Sequence, residues 1–247
     1  MSAKELQANR RADLTRKSIL RAAIREFSTH GLAGARTDAI AESAKVNKAL
    51  LYYYFKSKSG LYAAAIDEVS RAVAERAFAA LDPKHSAGER LLRTALSHFD
   101  RILTQRDFQS LMQQEMVRMR RGESEVLPSM VENVFRPVLG KLKEAVHDGI
   151  RSGELCRVDW LQVVYSALGA NVFFFLSAPM MRLLLPFDPL APAAIESRRN
   201  AAVQYLGNAL FVDRAHGARL VKRVLADMPM PKPKPKLLHA RVGRKFL

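Results

Sequence analysis

The 247-residue sequence predicts an all-α fold, with a small three-helix unit ahead of a larger helical bundle. Three observations carry this prediction. Apolar residues recur at helical spacing along most of the chain, and no stretch alternates apolar and polar residues between turn signals as a strand would. Capping residues stand just ahead of the periodic segments. A lone cysteine, Cys156, excludes a disulfide framework and a multi-cysteine zinc site, so apolar packing must hold the fold. With 49% hydrophobic and 26% charged residues, the composition supports a sizeable core.

Residues 1–11 read as a disordered basic arm. A first helix is expected from Asp13 to His30, with Ile19, Ala22, Ala23 and Phe27 on one face and Gly31 as a left-handed C-cap. Thr37 can N-cap a short helix through Ala44, turning Ile40, Ala41 and Ala44 inward. Asn47 can N-cap a second short helix that ends near Phe55, anchored by Leu51 and Phe55. Ser57 can cap a longer helix from Lys58 to about Ala80. Beyond Pro83, Ser86 with Glu89 reads as a capping box ahead of the stripe Leu92, Ala95, Phe99 and Leu103. Another helix is expected over Phe108–Arg121, and a further one lies between Pro128 and Gly153. Asp159 with Gln162 opens an apolar helix expected to end at Pro179. A loop over Pro186–Pro192 and helices over 193–212 and 214–227 follow. From Met228 to Leu247, Pro229, Pro231, Pro233 and Pro235 interleave with lysines, which predicts a flexible tail. The expected divisions are therefore 1–11, 12–72, 73–227 and 228–247.

The formal charge of +16 is unevenly placed: +6 over residues 1–80, +1 over 81–213 and +9 over 214–247. Basic ends attract a polyanion such as the DNA phosphate backbone or an acidic membrane. A solvated surface with a basic tail explains the charge equally well.

Residues 37–55 narrow the choice. Two helices too short to persist alone are joined by a turn at Lys45 to Asn47 and flanked by longer helices, as in a helix-turn-helix. The second carries Lys48, Ala49, Leu50, Tyr52, Tyr53 and Tyr54. Three consecutive tyrosines suit a buried helix poorly, because each hydroxyl needs a partner. In a major groove they can reach phosphates and sugars, while Ala49 and Leu50 can touch thymine methyl groups. An aromatic surface for protein contact is the competing explanation.

Over Thr15 to Leu61 the chain resembles the DNA-binding domain of the tetracycline-repressor (TetR) family. The resemblance rests on Ile19, Leu20, Ala22, Ala23, Phe27, Gly31, Thr37, Ile40, Ala41, Ala44, Val46, Leu51 to Phe55, Lys56 to Lys58 and Leu61. It implies a helix-turn-helix domain followed by a helical effector and dimerisation domain. It also implies a homodimer that binds a palindromic operator, commonly repressing until a small, largely apolar effector binds; the single cysteine fits a cytoplasmic protein. By position, Thr37 and Lys58 should meet phosphates, Lys48, Ala49 and Leu50 should face bases, and Tyr52, Tyr53 and Tyr54 should line the groove. Lys45 stands where the family usually has glycine, so it is expected at positive φ and can itself meet a phosphate. Asn47 replaces the usual serine and caps as well.

The resemblance assigns dimerisation to the helices near 159–178 and 193–212, with Ala167, Ala170, Phe174, Val203, Leu206 and Leu210 as interface candidates. Phe99, Met112, Met116, Phe135 and Phe173 are candidates for lining an effector cavity, flexible methionines suiting varied apolar ligands; ordinary core is the alternative. Trp160 to Met181 lacks charge over 22 positions, enough to span a bilayer, so a membrane-anchored helical protein is the second functional class. No enzyme is predicted: HExxH, GxSxG, GxGxxG and GxxxxGK[ST] are all absent, and the sequence offers no cofactor or metal site. The first thirty residues contain no signal-peptide apolar region.

Overall fold

The computed structural model describes residues 2–231. Of the tail expected over Met228 to Leu247, residues 232–247 lie outside the described residues. Among these residues the regular structure is helical, apart from one isolated antiparallel bridge between Leu155 and Phe211. The helices are α1 (Ala3–Gly34), α2 (Thr37–Ala44), α3 (Lys48–Phe55), α4 (Lys58–Ala80), α5 (Ala87–Thr104) and α6 (Arg106–Arg120). They continue with α7 (Leu127–Met130), α8 (Arg136–Arg151), α9 (Trp160–Val164), α10 (Ala170–Leu184), α11 (Pro192–Leu210) and α12 (Arg214–Asp227). π-helical turns at Val131–Phe135 and Tyr165–Gly169 join α7 to α8 and α9 to α10.

The chain forms two compact units. The first holds the residues up to Ala74 together with Arg106–Arg136. The family resemblance assigns this second segment to the 73–227 domain; by its contacts it groups with the first unit. Phe108, Leu111 and Met112 are buried, and Gln114 donates to the Ser28 carbonyl at 3.1 Å. Glu115, fully buried, accepts from the Tyr62 hydroxyl at 2.7 Å and from the Ser124 hydroxyl, with Arg118 Nε 3.0 Å away. Burial and the neighbouring carboxylate push the Tyr62 phenol well above its usual range. The Tyr62 ring meets Phe27 edge-on at 4.9 Å, in a core shared with Ile19, Leu20, Ile40, Leu51 and Leu61.

α1 begins ten residues earlier than the expected Asp13, so most of the supposed disordered arm is helical. Ser2 and Glu5 form a reciprocal capping box at its start, satisfying two otherwise orphaned donors. Gly31 adopts φ 69° and ψ 176°, a kink that only glycine tolerates well, and one further turn follows to Gly34.

The second unit holds Glu75–Gln105 and the chain from Pro137 onward. Leu92, Leu96, Val146, Val203, Leu206 and Val224 belong to its main core. Phe99, Leu103, Ala178, Leu190 and Ile195 form a satellite. Arg199 is buried beside it and forks onto Asp100 with two 2.7 Å bonds. α10 runs through Pro179 to Leu184 instead of ending at the proline. Its last turn is held by Arg182, which grips Asp188 at 2.7 and 2.9 Å. Ser86 caps α5 as expected, but the Glu89 side chain turns to Arg93 and Arg223 instead of closing the box.

His98, on α5, has a buried Nδ1 without a hydrogen-bond partner. Burial first, and Arg101 second, hold its pKa down at about 3. An unfolded histidine titrates near ~6.5, so the unfolded chain takes up this proton first. The stability this histidine contributes is intact above that pH and is lost as pH falls toward 3. Between pH 7 and pH 4 the chain should lose about 2–3 kcal/mol more than His98→Gln. Urea unfolding followed by Trp160 fluorescence checks this, and equal losses would refute it.

Candidate nucleic-acid interface

α2 and α3 are each eight residues long, and their caps explain why each starts and stops where it does. Lys45 ends α2 in the left-handed region, at φ 57° and ψ 44°, and its N–H bonds to the carbonyls of Ala41 and Glu42. Val46 N–H bonds to the Ala41 carbonyl at 3.0 Å, completing the reversal. Asn47 then caps α3, its side-chain oxygen accepting from Leu50 N–H at 2.7 Å. Ser57 accepts from Gly60 N–H at 2.9 Å at the start of α4. A Cβ at Gly60 would lie 2.4 Å from the Phe55 carbonyl oxygen, so this tight entry into α4 requires glycine.

Leu51 and Phe55 fix α3 on the core, as the sequence predicts. The opposite side is open. Lys45, Asn47, Lys48, Ala49 and Tyr53 are exposed, while Leu50, Tyr52 and Tyr54 are partly covered. Tyr53 is 69% exposed, and its ring is braced edge-on by Tyr54 at 5.4 Å and overlaid by the Lys56 ammonium at 5.6 Å. A helix presenting aromatic and cationic side chains this way can enter a major groove, touch base edges and grip phosphates.

Three candidates sit differently from expectation. Thr37 is the first residue of α2 and not its cap; Arg36 takes the cap position without a side-chain bond. The Thr37 side chain is buried and its hydroxyl meets the Tyr52 hydroxyl at 3.3 Å, tying α2 to α3. Lys48 pairs with Asp38 at 2.9 Å. That hydrogen bond holds the Asp38 carboxyl below its usual range and raises the Lys48 ammonium. Lys58 donates to the Ala33 carbonyl at 3.0 Å, pinning the start of α4 to the end of α1. Sequence reasoning missed two neighbours. Lys56 has φ 64°, and the Arg16 guanidinium lies 5.5 Å from the Phe55 ring centre. The Lys-Ser-Lys run signals the first; nothing local signals the second.

Lys45→Gly should separate shape from charge. Removing a left-handed lysine should stabilise the first unit by about 0.5–1 kcal/mol. Losing the cation should lower the salt slope of DNA binding by about 1 per protomer. Thermal melting and binding at several salt concentrations read the two effects separately. A destabilised variant with an unchanged slope would contradict both.

The other candidates divide by burial. Val203, Leu206 and Leu210 are only 0%, 4% and 7% exposed within the second unit's own core, so they cannot form an interface. Ala170 is exposed, and Ala167 and Phe174 are partly covered. The exposed apolar line on these helices is Tyr165, Phe173, Leu176, Met180 and Leu183, with Tyr205 on α11. Of the proposed cavity residues, Phe99 is packed against Phe174 and Phe175, with ring centres 6.0 and 5.0 Å away. Phe173 lines a groove of about 540 Å³ that also borders Ser177, Met181, Arg198 and Ala201. Met112, Met116 and Phe135 belong to the first unit, where Met112 is buried, Phe135 partly covered and Met116 exposed.

Residues 19–65 match the family model for bacterial regulatory proteins of the tetR family, and residues 88–206 match the tetracyclin repressor-like C-terminal domain. The chain is 43% identical over 61 residues to the HTH-type transcriptional repressor SCO4008 of Streptomyces coelicolor; the match covers 25% of this chain and 32% of that protein. It is 41% identical over 58 residues to the repressor NicS of Pseudomonas putida, covering 24% of this chain and 27% of that one. The chain thus spans a third or less of the length of these curated relatives. Its fold resembles that of a gamma-butyrolactone receptor (ArpA-like protein), with a TM-score of 0.65 at 20% identity over 88% of this chain and all of that one. It also resembles FadR of Bacillus subtilis in complex with stearoyl-CoA, with a TM-score of 0.58 at 20% identity over 77% of this chain and 96% of that one. Trp160–Leu184 is long and apolar enough to cross a membrane, with hydropathy 1.5, but it lies wholly within the matched C-terminal domain. Asn171, near its middle, is buried and donates to the Ala95 carbonyl of α5 at 3.0 Å, as in a bundle helix. The membrane-anchor alternative therefore falls away. Matched in both its domains, and helix-turn-helix in the geometry of α2 and α3, the chain belongs to the TetR family of bacterial transcriptional regulators.

Proposed function

We propose that the chain is a cytoplasmic, DNA-binding transcriptional repressor that binds a palindromic operator as a homodimer and is released by a largely apolar small molecule. The carrying observation is the exposed row of Lys48, Ala49 and Tyr53 on a capped α3, set behind the left-handed Lys45 turn. Thr37, Lys45, Asn47, Leu50, Tyr52, Tyr54 and Lys58 frame that row. The purified chain should retard duplexes from the region flanking its own gene, with affinity falling steeply between low and moderate salt. No retardation of any such duplex at low salt would overturn the reading.

Two further parts of the proposal rest on the second unit. Phe173, Leu176, Met180 and Leu183 are exposed apolar side chains at helical spacing on α10, exposed apolar patches mark interaction surfaces, and the first two lie in the stretch that the family resemblance assigns to dimerisation. Phe173→Glu with Leu176→Glu should therefore yield a monomer by sedimentation, and weaken binding to a full palindrome more than to a half-site. A variant that stays dimeric would move the interface elsewhere. For the effector, support comes from the largely apolar groove on the second unit that Phe173, Met181 and Ala201 line; of the other candidates, Phe99 is core and Met112, Met116 and Phe135 belong to the first unit. The titles of two fold neighbours, a gamma-butyrolactone receptor and a stearoyl-CoA complex, point the same way. A thermal-shift screen of acyl and lactone compounds would identify it.

A further inference from the structure

α1 extends well beyond the helices it packs against. Its buried face begins at Ile19, and no residue described before it is buried. Among the described residues, the first hydrogen bond from α1 to another helix runs from the Ser18 hydroxyl to the Ala44 carbonyl at 3.3 Å. Earlier hydrogen bonds are local: the Ser2–Glu5 box, and Thr15 to the Arg11 carbonyl at 2.9 Å. From Arg16 back to Ala3 the helix projects about 20 Å. Helices in proteins usually owe their stability to an apolar face that they bury. Among its described side chains this overhang buries none, and Leu6 and Leu14 stand open to solvent.

Its exposed charges are unbalanced. Arg10, Arg11, Arg16 and Lys17 face solvent against Glu5 and Asp13, and Glu5 is engaged in the cap. Their placement is also specific. Arg11, Ser18 and Arg25 recur every seven residues and share one face of the helix. Arg25 donates to the Ser43 hydroxyl at 3.1 Å, and Ser18 reaches the next carbonyl. That face therefore tracks the end of α2 toward the Lys45–Asn47 turn, and Arg11 lies about 10 Å further along the same line. Arg16, on the adjoining face, already overlies Phe55 at the end of α3.

We propose that this basic overhang is a second DNA-contacting element, in which Arg10, Arg11 and Lys17 meet backbone phosphates flanking the groove segment that α3 occupies. The proposal rests on the DNA-binding reading given above. Contacts of this kind add affinity and salt dependence without adding base preference.

The test begins with duplexes enriched from a random pool by the full chain. The triple variant Arg10→Gln, Arg11→Gln and Lys17→Gln keeps the chain length and good helix formers. It should bind the enriched duplex more weakly and with the same base preference. Its salt slope should be smaller by about 2–3 per protomer, and hydroxyl-radical protection should retract from the outer flanks. An unchanged affinity, slope and footprint would overturn the proposal while leaving the α3 reading intact. Failure of the full chain to enrich any duplex would instead overturn the reading on which it rests. Loss of the dimer on sedimentation, with an unchanged slope, would assign the overhang to a second copy of the chain and also overturn the proposal. Circular dichroism of the triple variant separates lost contacts from lost helix.

Discussion

Tyr53→Ala combined with Lys48→Ala is expected to remove specific DNA recognition while leaving the fold untouched. Both side chains project from the outer face of α3, and neither belongs to the core that Leu51 and Phe55 anchor. A well-placed contact to a base edge discriminates by about 1–3 kcal/mol. Losing both should therefore cost about 2–4 kcal/mol per protomer, or roughly 30- to 1,000-fold in affinity for the preferred duplex. Binding to unrelated DNA at low salt should persist, because the phosphate-directed charge is mostly retained. Lys48 is paired with Asp38 in the free chain, so its engagement on DNA requires it to leave that carboxylate. Asp38→Asn should accordingly tighten binding to any duplex, by lifting both the competition and the repulsion of phosphate. Competition assays with preferred and scrambled duplexes read these effects. An alanine pair that discriminates as well as the parent would show that α3 is not the reading helix.

The second large effect concerns stability. Glu115→Ala should destabilise the first unit by about 3 kcal/mol or more. The carboxylate is fully buried, and the Tyr62 and Ser124 hydroxyls and Arg118 all converge on it. Removing it leaves a buried phenol without its acceptor and a partly buried guanidinium without this ion-pair partner, and opens a cavity as well. Tyr62→Phe removes one donor and should cost less, about 1–2 kcal/mol. Because the chain has two units, a single melting temperature would blur the result. Hydrogen exchange in α4 and α6 resolves it: both helices should lose protection in Glu115→Ala, while α11 and α12 keep theirs. Unchanged protection in α4 would show that the network does not hold that helix. The Tyr62 phenol adds a pH signature. Its folded pKa is raised, so its contribution is intact below the unfolded value near ~10 and declines as pH rises above it. Tyr62→Phe should flatten that alkaline decline.

The sequence by itself determined the helical class, the short-helix pair and most helix starts. Asn47, Ser57, Ser86 and Asp159 each cap the helix they were expected to cap, because a cap bond closes within two or three residues. The positive φ at Lys45 was legible through the family resemblance, which places glycine at that position. The whole length of α1 was less legible. Its first turns lack a buried stripe, so the periodicity that marks other helices is missing, and only the Ser2–Glu5 box signals the start.

Tertiary structure alone decided which side of each apolar helix is covered. α10 and α11 are apolar on more than one face, so periodicity identifies the helices but not the face that their own bundle buries. Val203, Leu206 and Leu210 turned inward, and Phe173, Leu176 and Tyr205 turned out. It also decided the long-range polar pairs. Thr37 with Tyr52, Lys48 with Asp38, Lys58 with the Ala33 carbonyl and Tyr62 with Glu115 are separated by 15, 10, 25 and 53 residues. The physical reason is range: caps and turns are settled within a few residues of chain, whereas the partner of a distant side chain exists only once the helices have packed.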